Sequence, residues 1–320
     1  IHLHTHDTSS MQSATLLKAI EADVDVVDVC LSSMSGLTSQ VNMNSLIAVM
    51  QGHKREQAFD LAALNEYANY WEAVREYYYP FESGLKAGTA EDYDHEIPGG
   101  QYSNLRPQAI ALGLEHRFEQ IKKNYAAVNH LFGDIVKVTP SSKVVGDMAM
   151  FMTANGLSVE DVMAQGETLA FPDSVVDLFS GKLGQVEGGF PPEISAKVLK
   201  GRKPLAGPPG AALEPVDFEV EFAAFKARFD DSVTELDFLS YLMYPEVFRG
   251  YFEHQQEFGE VHDLPTQAFF YGLKQGEEIL VKLQRGKTIV IRYIYRSHTD
   301  ENGYCRVTFD LNGQARSVQV

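Results

Sequence analysis

Cysteine is nearly absent from this chain. Its two residues, Cys30 and Cys305, stand far apart in 320, too few and too distant for the framework that staples small secreted domains, which favours a reducing compartment. Cys30 ends the apolar run VVDVC and reads as a buried small hydrophobe. Positive charge is the second shortage: 27 Lys and Arg stand against 44 Asp and Glu, a net charge of −17. That balance argues against nucleic acid and anionic membranes as partners, since both reward clustered Lys and Arg. The one basic run, Lys197 to Lys203, lies beside a Pro/Gly stretch and reads as a solvated linker edge. No apolar stretch approaches the roughly 18 residues of a membrane helix, and no signal peptide is visible. Gly-x-Gly phosphate fingerprints, Ser-His-Asp and Cys-His arrangements, internal repeats and low-complexity tracts are missing too. The chain opens on Ile1 rather than Met and goes straight into a strand, so a piece of a longer polypeptide is expected.

What is present begins with Ile1-His2-Leu3-His4-Thr5-His6, followed by Asp7-Thr8. Alternate residues of an extended strand share a face. The three histidines therefore project one way, and Leu3 and Thr5 the other. Two imidazoles at that spacing can grip one metal ion from a rigid strand end. The bland alternative is three interior polar residues hydrogen-bonded to their neighbours. Asp7 either orients one of those neighbours or begins the following loop.

The strand is followed by a helix from Ser10 to about Ala22, a buried parallel-type strand Asp25–Cys30, the loop SSMSGLTSQ and a helix from about Asn44 to Met50. This β-α-β-α order is the unit of an α/β sheet or barrel. Two parallel strands cannot close a barrel, so the rest is expected upstream or from another chain. From about 60 to 200 the pattern turns helical. Leu61–Tyr78 carries Tyr67, Tyr70 and Trp71, which with Tyr77–Tyr79 read as core. Leu105–Phe132 reads as one long helix with Pro107 in its first turn. Asp147–Asn155 stops before Gly156, and Ser158 with Asp161 resembles a capping box. His95–Asn104 and Val138–Asp147 read as Gly/Pro-rich loops, and AEDYDHE as a solvated one. Gly99-Gly100 suits either a close backbone approach or a tight turn. Gly201–Pro215 is a linker signal. Short helices Phe218–Arg228, Glu235–Tyr241 and Pro245–Phe252 follow. Period-two strands GEEILVKLQ, KTIVIRYIY, CRVTFDL and ARSVQV end the chain, with hairpin turns expected at Asn302-Gly303 and Asn312-Gly313.

In VTPSSK, Pro140 fixes its own φ and pushes Thr139 out of helix. The result is a stiff, exposed turn that presents three hydroxyls and an ammonium. The same hydroxyls suit a helix N-cap before Val144–Met150; Ser141 or Ser142 could cap while Thr139 faces a site.

HTHDT, SSMSGLTSQ, YYYPFESGLKAGTAEDYDHEIPGGQYSN and VTPSSKVVGD together resemble the carboxyltransferase component of the pyruvate carboxylase family. That component is shared in part with oxaloacetate decarboxylase and transcarboxylase subunits. The tail, PTQAFFYGLKQGEEI with FDLNGQARSV, is similar to the family's tetramerisation (allosteric) region. The resemblance covers essentially the whole chain. It implies an α/β fold: the end of a TIM (β/α)8 barrel, then an all-helical funnel and a small β-rich C-terminal module. By numbers, 1–58 would hold the last two βα units, 59–200 the funnel, 201–215 a linker and 216–320 the tetramerisation module. The family usually has Gly where Ser10 stands; as Ser is a good N-cap, little consequence is expected.

The resemblance also implies roles. His4 and His6, nearest the carboxyl end of their strand, match the pair that binds a divalent metal, Mn²⁺ or Zn²⁺. An Asp and a carbamylated Lys would complete the shell from outside this chain. Thr139 matches the threonine that shuttles a proton between pyruvate and biotin, and Ser142 and Lys143 match residues at the biotin pocket. The implied reaction moves a carboxyl group from carboxybiotin to pyruvate, giving oxaloacetate. The implied partners are a biotin carboxyl carrier, a biotin carboxylase domain using ATP and Mg²⁺, a homotetramer, and acetyl-CoA as activator. The compartment would be bacterial cytoplasm or mitochondrial matrix. With half of the metal shell elsewhere, the 320 residues alone are expected to be inactive. Rival readings are a decarboxylase or transcarboxylase subunit, a lyase of the hydroxymethylglutaryl-CoA type, and a non-catalytic assembly module. The lyase family carries a Cys in the loop after its last strand, whereas Ser32–Gln40 has none.

Overall fold

β1 (His2–Leu3) runs parallel to β2 (Val26–Val27), with α1 (Gln12–Glu21) crossing between them. β3 (Val29–Cys30) pairs in parallel with β4 (Val41–Asn42), and α2 (Met43–Val49) follows directly, its first turn capped by the Asn42 side chain on the Ser45 N–H. The computed structural model describes residues 1–320 except Ser83, which falls inside the YYYPFESGLKAG motif, and Glu260; the Ala212 side chain is likewise outside the description.

The order is β-α-β-β-β-α rather than β-α-β-α: the expected strand Asp25–Cys30 is divided between β2 and β3, which belong to two separate two-stranded sheets, β4 follows the SSMSGLTSQ loop, and the strands are shorter than Ile1–His6 and Asp25–Cys30. Past Leu3 the backbone is held by the loop rather than by a ladder. Gln40 Nε2 donates to the Thr5 carbonyl at 3.0 Å, and the Asp7 N–H donates to Ser39 O at 2.7 Å. Cys30 is only half-buried, its thiol 3.4 Å from Gln40 Oε1 and 3.3 Å from the Ser39 hydroxyl. Ser10 is no N-cap. It sits at φ 61° in the left-handed region, and the first turn of α1 is held instead by Asp7, whose Oδ1 accepts the Gln12 N–H at 3.1 Å. A left-handed position is one that glycine fills at no steric cost.

α3 (Leu61–Arg75), N-capped by Asp60, ends three residues short of Tyr78 and passes into a 3₁₀ segment, Glu76–Phe81. Its aromatic stripe is not core: Tyr67 and Tyr70 are 61% and 62% exposed, and the only buried residue of the helix is Ala68. The AEDYDHE segment is not a loop either, for α4 (Asp92–His95) lies within it. α5 (Gly99–Ala111) starts on the two glycines. The single long helix over 105–132 is in fact α5 and α6 (Phe118–Leu131), separated where Gly113 takes φ 70° and closes α5.

α7 (Ser141–Asn155) occupies most of the expected Val138–Asp147 loop and ends at Gly156 in the left-handed conformation. α8 (Val159–Gln165) opens on the Ser158–Asp161 capping box. α9 (Asp173–Phe179) and α10 (Pro192–Leu199) complete the helical layer. Its core joins Leu105, Ile121, Tyr125, Phe132, Met148 and Leu178, each at most 2% exposed. A side chain buried this fully contributes about 1.5–3 kcal/mol. α5 and α7 pack closely because position 146 lacks a side chain: a Cβ there would stand 2.7 Å from Gln101 Nε2.

The compact N-terminal unit ends at Leu213, inside the expected linker, and a second unit spans Glu214–Val320. In the second, α11 (Phe218–Arg228), α12 (Glu235–Met243) and α13 (Pro245–Phe258) gather Phe225, Phe238 and Phe248 into a phenylalanine core. After α14 (Thr266–Tyr271) come β5 (Glu278–Gln284), β6 (Lys287–Arg296), β7 (Arg306–Leu311) and β8 (Gln314–Gln319), an antiparallel meander in sequence order. Asn312 and Gly313 both take positive φ in the two-residue turn between β7 and β8, as the Asn-Gly signal requires. Asn302-Gly303 instead lies in a longer connection, where only Gly303 of the pair has positive φ.

Candidate functional site

His4 and His6 lie side by side, ring centroids 5.2 Å apart and nearly perpendicular. Each ring is fixed through Nδ1, which donates to Asp28 Oδ2 in His4 and to the Thr38 carbonyl in His6, both at 2.7 Å. An imidazole held by one nitrogen presents the other, so both Nε2 atoms are left to bind. His2 is engaged differently, with its Nε2 against the other Asp28 oxygen, also at 2.7 Å. Hydrogen bonds from His2 and then His4 hold the Asp28 carboxyl below the usual carboxylate range. An ionised carboxylate behind a ligating imidazole is the usual support of a metal-binding histidine. The donor set therefore fits two of a divalent metal's ligands. No group of three or more candidate ligands exists among the described residues.

The EIPGGQY segment is built against this pair. A Cβ on Gly99 would come within 2.8 Å of His6 Cβ, Cγ and Nδ1, so only glycine lets the start of α5 approach the ring. Ser103, one turn on, donates to Thr38 Oγ1 at 2.9 Å. The same loop residue thus anchors His6 through its carbonyl and α5 through its hydroxyl. His4, His6, Thr5, Asp92, Glu96 and Gly99 line one cleft. Burial raises the Asp92 carboxyl above its ordinary value, opposed by its electrostatic interaction with the nearby His6.

Thr139 is exposed on the turn before α7 and joined to Pro140 by a cis peptide bond. Neither serine caps α7. The Ser141 hydroxyl turns back, 2.6 Å from the carbonyls of both Val136 and Val138. Ser142 is buried, and its carbonyl accepts from Tyr125 Oη at 3.2 Å. Lys143 is exposed and pairs with Asp147 Oδ2 at 2.7 Å, which also accepts from the Ser174 hydroxyl. The histidine pair and the Thr139 turn are thus two clusters of one unit, linked by α5 against α7 and by the ion pair of Glu96 with Lys137.

Sequence reasoning missed Asp28 and the Gly99–His6 contact. The signal for the first was present: an Asp inside the Val-rich run DVDVVDVC is out of pattern for a buried strand. The second has no signal beyond the choice between close approach and tight turn.

A family described as a conserved carboxylase domain matches residues 93–292. Pyruvate carboxylase of Bacillus subtilis (strain 168) is 46% identical over all of this chain and 28% of its own length. The mitochondrial pyruvate carboxylase of Homo sapiens is 42% identical over all of this chain and 27% of its own length. The chain therefore spans little more than a quarter of these relatives. The solved carboxyl transferase domain of Rhizobium etli pyruvate carboxylase superposes with a TM-score of 0.91 at 46% identity, covering all of this chain and 54% of that one. The same domain solved with pyruvate and biocytin gives a TM-score of 0.92 at 46% identity, with the same coverage.

Proposed function

The chain belongs to the conserved carboxylase domain family, and we propose that it is part of a biotin-dependent pyruvate carboxylase, contributing to the step that moves a carboxyl group carried on biotin to pyruvate to form oxaloacetate. The observation that carries this reading is the His4–His6 pair, each ring locked through Nδ1, with Gly99 packed on the His6 ring. On this reading 1–58 is the end of a TIM barrel, 59–200 its helical funnel, 201–215 a linker and 216–320 the tetramerisation module. His4 and His6 would hold Mn²⁺ or Zn²⁺ together with ligands from another segment. Such an ion supplies electrostatic stabilisation of the enolate oxygen of pyruvate.

Thr139 is the proton relay. Its hydroxyl takes a methyl proton from pyruvate and gives one to the biotin ring nitrogen as the carboxyl group leaves that nitrogen; the new bond forms at the former methyl carbon. A neutral hydroxyl performs both transfers without stranding a charge. Ser142 and Lys143, in the first turn of α7, would stand at the biotin side. Biotin would arrive on a carrier domain charged by a biotin carboxylase that uses ATP and Mg²⁺; a homotetramer and activation by acetyl-CoA belong to the same proposal. No helix among the described residues is long and apolar enough to cross a membrane.

The test is Thr139→Ala in the full-length enzyme. Oxaloacetate formation should fall by about 10²-fold or more, with bound metal unchanged and with Thr139→Ser recovering part of the rate. Wild-type turnover in the Ala variant would remove the relay.

A further inference from the structure

We propose that Lys137 is a positioning residue for this reaction, tying the Thr139 turn to the wall of the histidine cleft through Glu96. The proposal rests on the reading of Thr139 as the relay. The approach to the turn is inside out. Along Val136–Lys137–Val138 the two valines are 79% and 62% exposed, while the lysine side chain is 16% exposed. In an extended segment alternate side chains oppose one another, so hydrophobicity would bury the valines and expose the lysine. A specific partner must reverse that preference.

The partner is Glu96, whose Oε2 accepts from Lys137 Nζ. Asn129 holds the same ammonium from a second side: with its amide turned to satisfy its neighbours, its oxygen accepts from Nζ at 3.1 Å and its nitrogen donates to Ile135 O at 3.2 Å. Glu96 itself sits at φ 56°, a left-handed conformation that L side chains seldom adopt. It lines the cleft with His4 and His6, and Gly99, three residues on, abuts the His6 ring. One ion pair therefore joins the backbone two residues before Thr139 to the backbone that packs on a candidate metal ligand. An ordinary surface pair is worth little to stability. What this pair sets is registry: a relay works only when its hydroxyl reaches both reacting atoms, and a displacement of about 1 Å can cost 10²-fold in rate.

The experiment compares Lys137→Met, Lys137→Arg, Glu96→Ala and the Met/Ala double variant in the full-length enzyme. It reads kcat and KM for pyruvate, bound metal, and amide hydrogen exchange over Val136–Ser142. Lys137→Met should lower kcat by about 10- to 100-fold, with KM nearly unchanged, metal retained and exchange faster across the segment. Lys137→Arg should recover most of kcat, and the double variant should be no slower than the worse single one. Wild-type kcat in Lys137→Met, additive losses in the double variant, or a loss that tracks metal content and is not restored by Arg would each overturn the assignment. If Thr139→Ala proves fully active, the relay reading has failed on its own. The tie is then judged by exchange, and unchanged protection in Lys137→Met overturns it.

Discussion

At the scale of single residues, the histidine pair is made a candidate site by groups that never touch a ligand. Asp28 and the Thr38 carbonyl each occupy one ring nitrogen, and Gly99 leaves the space in which the His6 ring stands. Gly99→Ala tests the last of these. A methyl within 2.8 Å of three ring and Cβ atoms must displace either His6 or the start of α5. Overpacking of this kind costs about 1–3 kcal/mol, and loss of ligand support weakens metal binding about 10- to 100-fold. Thermal unfolding and metal analysis of the full-length variant check both; full metal occupancy at wild-type affinity would show that the contact is mere packing. The alternation of His2, His4 and His6 was enough to place two rings together. It could not show that His2 is taken by Asp28, because that bond depends on a residue 26 positions away.

At the scale of elements, the turn between α4 and α5 is the piece whose geometry depends on protonation. His95 is 4% exposed, and its Nδ1 accepts the Ile97 N–H at 3.0 Å, which requires the neutral ring. Burial, and next the charge of Lys122, hold its pKa below the ordinary value of 6.5. The unfolded chain therefore binds this proton more readily than the folded one, and stability rises with pH where they differ. The contribution is complete above about pH 6.5 and is lost as pH falls from there through the lowered folded value. Urea unfolding of the N-terminal unit between pH 7.5 and 5.5 should show a decline that His95→Gln makes shallower; equal slopes in the two proteins would exclude His95 as the cause. Sequence patterning read this region as loop because α4 is only one turn long and its capping residue, Glu96, is left-handed without being glycine. Long, regular elements were easier. α7 was foreseen at its glycine end, and the β5–β8 segments were foreseen almost residue for residue, because period two and Asn-Gly are local signals.

At the scale of the molecule, the chain divides where its composition does. The boundary at Leu213/Glu214 falls inside Gly201–Pro215, a stretch of Gly and Pro that is mostly exposed. Exposed, irregular segments are cut before packed units. Limited proteolysis should therefore open the chain first within Gly201–Pro215 and leave two resistant fragments; a first cut inside α5–α7 or β5–β8 would contradict the division.

The sequence by itself determined what depends on near neighbours: alternation on a strand, helix stops at glycine, the Asn312-Gly313 turn, and the motif set that marks the conserved carboxylase domain family. The tertiary structure decided what depends on distant ones. It set Asp28 beside His2 and His4, seated Gly99 on His6, and drew Lys137 in toward Glu96. Each of these joins side chains many residues apart, where steric fit and desolvation choose the partner and no local periodicity records the choice.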